Sequence, residues 1–231
     1  MSDMIQVRTA DGEMPAHLWL PESGTGPGVL LLQEIFGVSD YIQRRAEDLA
    51  ALGYVVLAPE VFWRLGVSAV ANGPDMLPEA MGLLGRLDWD AAVSDSGAAL
   101  DVLRERAEVT GGVGVIGFCF GGGLGYAVVA GSPTDVLVSF YGSALPDLVN
   151  AIPSVATPSL HHFGEADAYI PLDTVERIRG SVSAGGQVEF HTYPGASHAF
   201  DNDDFVGHHP EASALAWQRT EHWLGVNLPT A

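Results

Sequence analysis

Apolar and polar positions alternate with a period of two over residues 5–8 and 14–20, on either side of Asp11-Gly12, which predicts an antiparallel hairpin. The pattern then changes. Residues 28–32 form an unbroken apolar run of strand length, as a strand covered on both faces requires, and residues 54–58 form a second one ended by Pro59. Between them Ile42, Ala46, Leu49 and Ala50 recur at helical spacing, behind a capping Asp40 and ahead of Gly53. Residues 60–88 hold no sustained period. Gly66, Gly73, Pro74 and Pro78 interrupt them, and the expectation is a loop with short helical pieces. Further on, helices expected over 89–106, 120–130, 172–182 and 210–224 alternate with strands expected over 113–118, 136–141, 159–163 and 188–193.

Strands alternating with helices specify an α/β fold, with a mostly parallel central sheet and helices on both faces. No repeat, low-complexity tract or linker interrupts the pattern, so a single domain spanning residues 1–231 is expected, with no separate lid domain. Ligands of such sheets bind at the carboxyl ends of the strands. The reactive residues that fall there are therefore the ones to find.

Composition narrows the field. The net charge is -19, and all ten basic residues are arginines. So acidic a surface repels phosphate backbones and anionic membranes, which argues against nucleic-acid and membrane partners. Residues 1–8 are acidic and polar where a secretory signal needs an apolar stretch, so a cytoplasmic protein is expected, either a monomer or a small homo-oligomer. The single cysteine, Cys119, leaves no internal disulfide and no multi-cysteine metal site. Residues 112–131 are uncharged and long enough to cross a bilayer, but they include eight glycines and lack flanking basic clusters. A buried strand turning sharply into a buried helix accounts for the same composition.

Candidate chemistry centres on that corner. Gly117-Phe118-Cys119-Phe120-Gly121 has the glycine-x-nucleophile-x-glycine form between an expected strand and an expected helix. Glycines two residues to either side let strand and helix approach, and the helix amino terminus favours a thiolate and an oxyanion. A buried structural cysteine is the plainer alternative. Partners follow in the order that a nucleophile–acid–histidine arrangement needs, each just beyond a strand. Asp167 lies in Gly164-Glu165-Ala166-Asp167, and His198 ends Pro194-Gly195-Ala196-Ser197-His198. Glu165 competes for the acid role, whereas Asp173 is expected inside the following helix. His161 and His162 sit within a strand and read as packing, and His191 is mid-strand. His208 and His209 are expected to be solvated at the start of the last helix. These histidines, with Asp201, Asp203 and Asp204, show no zinc-enzyme spacing, so neither a metal nor a cofactor is expected.

The chain resembles the dienelactone hydrolases, also called carboxymethylenebutenolidases. The resemblance rests on Gln33-Glu34-Ile35-Phe36-Gly37, the Cys119 corner, the Asp167 segment and Tyr193-Pro194-Gly195-Ala196-Ser197-His198-Ala199-Phe200, and it spans essentially the whole domain. It implies an α/β-hydrolase fold and hydrolysis of a small-molecule ester or lactone by Cys119, His198 and Asp167 through a thioester. Glu34 then accepts the thiol proton when substrate binds, and the backbone N–H groups of Phe120 and Ile35 form the oxyanion hole. The family holds its substrate carboxylate with two arginines and a serine. Arg64 matches the first arginine, but Ala199 and Asn202 occupy the other two positions, ahead of acidic Asp203 and Asp204. The clamp is altered, and neutral esters or lactones packed on Phe36, Trp63 and Phe200 are as well suited as anionic ones.

Two rivals remain. Gly112-Val113-Gly114-Val115-Ile116-Gly117 matches the dinucleotide fingerprint of nicotinamide-dependent oxidoreductases, but it runs into a strand where that motif must open a helix. A non-catalytic binding protein on the same scaffold is the second, since fold alone does not fix function.

Overall fold

The computed structural model describes residues 2–184 and 186–230. Its chain divides into two compact units, residues 1–114 with 230–231, and residues 115–229.

In the first unit, β1 (Asp3–Arg8) and β2 (Glu13–Trp19) form the expected antiparallel hairpin. Thr9 closes its turn, where the backbone N–H and the hydroxyl both donate to the Gly12 carbonyl at 2.8 and 3.0 Å. Val7 opposes Met14, and both are fully buried, so the period-two pattern has found its core face. β2 also pairs antiparallel with β4 (Val55–Pro59), and β4 pairs parallel with β3 (Gly26–Leu32). Every residue of β3 and β4 is buried, which is why their sequences run apolar without alternation. Helix α1 (Asp40–Ala51) packs on β4 through Ile42, Ala46 and Leu49. Its N-cap is Ser39, not Asp40. Asp40 enters the first turn instead, where its charge still favours the helix amino terminus. The irregular stretch contains a 3-10 turn (Trp63–Leu65) and α2 (Met76–Leu84), as expected. Helix α3 (Trp89–Glu105) begins at an Asp88 cap, whose carboxylate accepts from the Ala91 N–H at 3.1 Å.

The division falls inside β5 (Val109–Phe118), which starts four residues earlier than the sequence pattern suggests because residues 109–112 are only partly covered. The second unit continues with α4 (Phe120–Gly131), β6 (Val136–Phe140), α5 (Leu145–Ala151), β7 (Ser159–Gly164), α6 (Leu172–Val182), β8 (Val188–Tyr193) and α7 (Pro210–Asn227). Its strands lie in the order β5-β6-β7-β8, with β6, β7 and β8 parallel. Helix α5 is a helix that the sequence reading passed over; it is seven residues long and too short to show a period. The apolar run 112–131 is the end of β5 followed by α4. Among the described residues, no helix is long and apolar enough to cross a membrane. The dinucleotide-like glycines lie within β5 and open no helix, so the phosphate-binding geometry is absent at that stretch.

Candidate active site

Cys119 is the N-cap of α4 and links it directly to β5. Its backbone adopts φ 52° and ψ −115°, a strained conformation for a residue with a side chain. Local hydrogen bonds hold it there. The Cys119 N–H donates to the Phe140 carbonyl at 2.9 Å, and its carbonyl accepts from the N–H groups of Gly122 and Ser143, both at 3.0 Å. Position 117 must be glycine, since a Cβ there would lie 2.0 Å from the Gly121 carbonyl oxygen. The corner thus stands Cys119 at the helix amino terminus, where the residue is 7% exposed.

Residues beyond β7 and β8 bring the partners. The Ala166 N–H donates to the Ala196 carbonyl at 2.9 Å and the Glu165 N–H to the Tyr193 carbonyl at 3.0 Å, so the two loops run side by side. Gly164 allows that approach, because a Cβ on it would sit 2.3 Å from the Ala196 oxygen. As a result, Asp167 Oδ2 lies 2.7 Å from His198 Nδ1, and His198 Nε2 lies 3.1 Å from Cys119 Sγ. The other Asp167 oxygen accepts from the backbone N–H groups of Tyr169 (2.7 Å) and Ile170 (3.0 Å).

Electrostatics follow from these contacts. Burial disfavours a charged imidazole, but the hydrogen bonds to Asp167 and Cys119 and the charges of both outweigh it, and His198 is pushed up to about 10. Burial also works against the Asp167 carboxylate. The His198 contact and the two backbone donors overcome it, so Asp167 is held below its ordinary value. An imidazole so placed can take up a proton beside the sulfur and hand it to a departing group.

A model of the dienelactone hydrolase family matches residues 14–228 of this sequence. The chain belongs to the dienelactone hydrolase family. It is 32% identical over 215 residues to a carboxymethylenebutenolidase of a Pseudomonas species, covering 92% of this chain and 90% of that protein. It is 28% identical over 229 residues to carboxymethylenebutenolidase 1 of Cupriavidus pinatubonensis, covering 98% and 97% of the two chains. A solved structure from Klebsiella pneumoniae aligns with a TM-score of 0.82 at 26% identity, over 97% of this chain and 98% of that one. The dienelactone hydrolase of Anabaena variabilis aligns at 0.72 and 21% identity, which speaks to fold alone. The fold is that of the α/β-hydrolases, and this dienelactone hydrolase family member is a hydrolase of the carboxylic ester or lactone class.

The remaining sequence candidates of this family member fall into distinct settings. Glu34, Ile35 and Phe36 follow β3, and all three are buried. Short bridges pair Glu34 with Gly37 and Gly37 with Ala69, which ties this loop to the segment beyond the 3-10 turn. Arg64 is already engaged. Its guanidinium pairs with the buried Asp95 of α3, reaches Asp11 at 2.7 Å and stacks over the Trp63 ring at 4.5 Å. Trp63 donates its indole N–H to Asp95 at 2.9 Å. Asn202 is buried, and its side-chain oxygen accepts from the Asp204 N–H at 2.9 Å. Phe200 is fully buried among rings, 5.2 Å from Tyr141 and 5.0 Å from Tyr193.

Competing acids and histidines have other duties. Glu165 accepts from the Thr192 hydroxyl at 2.8 Å, and Asp173 lies in the first turn of α6. His161 bonds Ser159 at 3.1 Å, while His162 bonds Tyr193 at 2.8 Å and Thr220 at 3.1 Å. Contrary to the solvated position expected, His208 and His209 are half-buried, and His209 caps α7 by accepting from the Ala212 N–H. The acidic stretch also splits, because Asp201 turns inward to the Ser213 hydroxyl at 2.6 Å. Among the described residues, no group of His, Cys, Asp and Glu gathers to hold a metal.

Two residues escaped the sequence reading. The rings of Tyr141 and Tyr169 each lie 5.3 Å from the His198 ring at 61°. Tyr141 has a faint signal, being the residue that ends a strand run. Tyr169 has only its place two residues after the acid.

Proposed function

We propose that this chain hydrolyses carboxylic esters or lactones by acyl transfer to Cys119. The Cys119 proton moves to His198, with Glu34 as the first acceptor that the family resemblance implies. The thiolate then attacks the carbonyl carbon, and the Phe120 N–H at the start of α4 stabilises the oxyanion. The tetrahedral intermediate collapses to a thioester as the C–O bond breaks, and the departing oxygen takes the His198 proton. Water, deprotonated by His198, then attacks the thioester and releases the acid with the thiol restored. Asp167 orients the imidazole and offsets its charge. The family resemblance assigns the accessory carboxylate role to Glu34 and a second oxyanion amide to Ile35, and their burial at the carboxyl end of β3 supports that assignment.

The observation that carries this reading is the relay of 3.1 Å from Cys119 Sγ to His198 and 2.7 Å from His198 to Asp167. Intact-protein mass spectrometry during turnover tests it. A thioester at Cys119 is expected, and turnover should vanish in Cys119→Ala and nearly so in His198→Ala. An active Cys119→Ala variant without an adduct overturns it.

Neutral substrates suit this family member better than anionic ones. Arg64 is already paired with Asp95 and Asp11, and Asn202 carries no charge, so a substrate carboxylate meets little free positive charge at these positions. Matched neutral and anionic esters should differ in KM in favour of the neutral member, by a margin that shrinks as salt is added. Preference for the anionic member rejects the altered clamp.

A further inference from the structure

The imidazole of His198 neighbours two tyrosines with opposite fates. Tyr141 is fully buried, while Tyr169 at the same ring distance and angle is 71% exposed. An aromatic ring left that open beside a buried site is unusual, because large apolar surface is normally covered. Its backbone is anchored beside the site. The Tyr169 backbone N–H is fixed by Asp167 Oδ1 at 2.7 Å, the same carboxylate that fixes His198. One carboxylate therefore anchors both the imidazole and the backbone from which the exposed ring projects.

We infer that Tyr169 forms the subsite for the alcohol part of the substrate and selects esters whose leaving group is an aryl or other flat apolar alcohol. This inference rests on the acyl-transfer reading above. During acylation the departing oxygen must come within about 3 Å of His198 Nε2 to collect its proton. Whatever carbon skeleton that oxygen carries is thus brought beside the imidazole. Tyr141 has no surface left to offer it, and Tyr169 has most of its ring. A flat leaving group can lie against that ring and strengthen binding through apolar burial and ring–ring contact. The acyl part stays on the sulfur, so Tyr169 acts on the first half-reaction and leaves the common thioester untouched.

The experiment compares acetates of phenol, 2-naphthol and ethanol, all of which give one acetyl-enzyme. For Tyr169→Ala, the ratio of kcat/KM for naphthyl to ethyl acetate should fall about tenfold, and Tyr169→Phe should restore it. The deacylation rate constant of the acetyl-enzyme, read from burst kinetics, should stay within about twofold of the parent. A second series of ethyl esters with aryl and alkyl acyl groups should show no such change in ratio. Equal loss on every acetate, or a ratio change confined to the acyl series, overturns the inference. These outcomes are separable from failure of the underlying mechanism, because an active Cys119→Ala variant would remove the acyl-transfer reading whatever Tyr169 does.

Discussion

At the scale of single residues, the proposed relay depends on Asp167 holding one ring nitrogen of His198 while the other faces sulfur. Replacing it by asparagine keeps the size and the backbone acceptor but removes the charge and permits the wrong imidazole tautomer. Asp167→Asn should retain its fold by circular dichroism and lose roughly 10³–10⁴ in kcat, measured on a chromogenic ester. Residues of this kind were legible in the sequence because chemistry demands a nucleophile, an acid and a histidine after successive strands. Cys119, Asp167 and His198, which the fold brings together, could be nominated without coordinates for that reason. Arg64 and Asn202 show the limit. A local pattern can nominate an arginine, but it cannot reveal that Asp95, thirty-one positions away, already holds it. Tyr169 lay beyond reach for the same cause, since ring contact with His198 is a tertiary fact.

At the scale of elements, fully buried strands were readable from unbroken apolar runs, but β7 carries two histidines inside such a run. Both are entirely buried, and burial lowers His161 to about 3 and His162 well below its ordinary value. The sign of the consequence is definite. Unfolding exposes imidazoles that bind protons near pH 6.5, so each histidine supports the fold above that pH and the support is lost as pH falls toward the folded value. Between pH 6 and 4, stability should decline by about 1.4 kcal/mol per pH unit through His161, and His162 adds a decline of the same sign. In His161→Phe, urea titrations should show a shallower slope by one histidine's share, even if the variant is weaker at pH 7 because Ser159 loses its partner. An unchanged slope would reject the argument. Helix α5 and the N-cap of α1 were not readable, since seven residues give no period and a serine and an aspartate side by side compete for one cap.

Across the whole molecule, the alternation of strands and helices sufficed for the α/β architecture, and charge supplies what it could not. With a net charge of -19, self-repulsion strains the folded chain at low ionic strength. Raising sodium chloride from about 0.05 to 0.5 M shortens the screening length from over 10 Å to a few Å and should lift Tm by a few degrees in differential scanning calorimetry. A falling Tm would show that specific ion pairs dominate instead. We also propose that the chain melts as one domain. The division between its two compact units runs through the middle of β5, between the buried Gly114 and Val115, where a true linker would be exposed and irregular. Near- and far-ultraviolet circular dichroism should therefore report one coincident transition, and two separated midpoints would contradict it.

The backbone strain noted at Cys119 is shared by two neighbours in the relay, for Tyr141 and Ala199 are the other non-glycine residues at positive φ among those described (38° and 57°). At Ala199, beside His198, glycine would relieve the strain at little steric cost, whereas at Tyr141 it would also empty the space of a fully buried ring. A screen for heat resistance should therefore recover Ala199→Gly and spare Tyr141, and on the acyl-transfer reading the recovered enzyme should be sturdier but slower, because the residue next to His198 gains freedom.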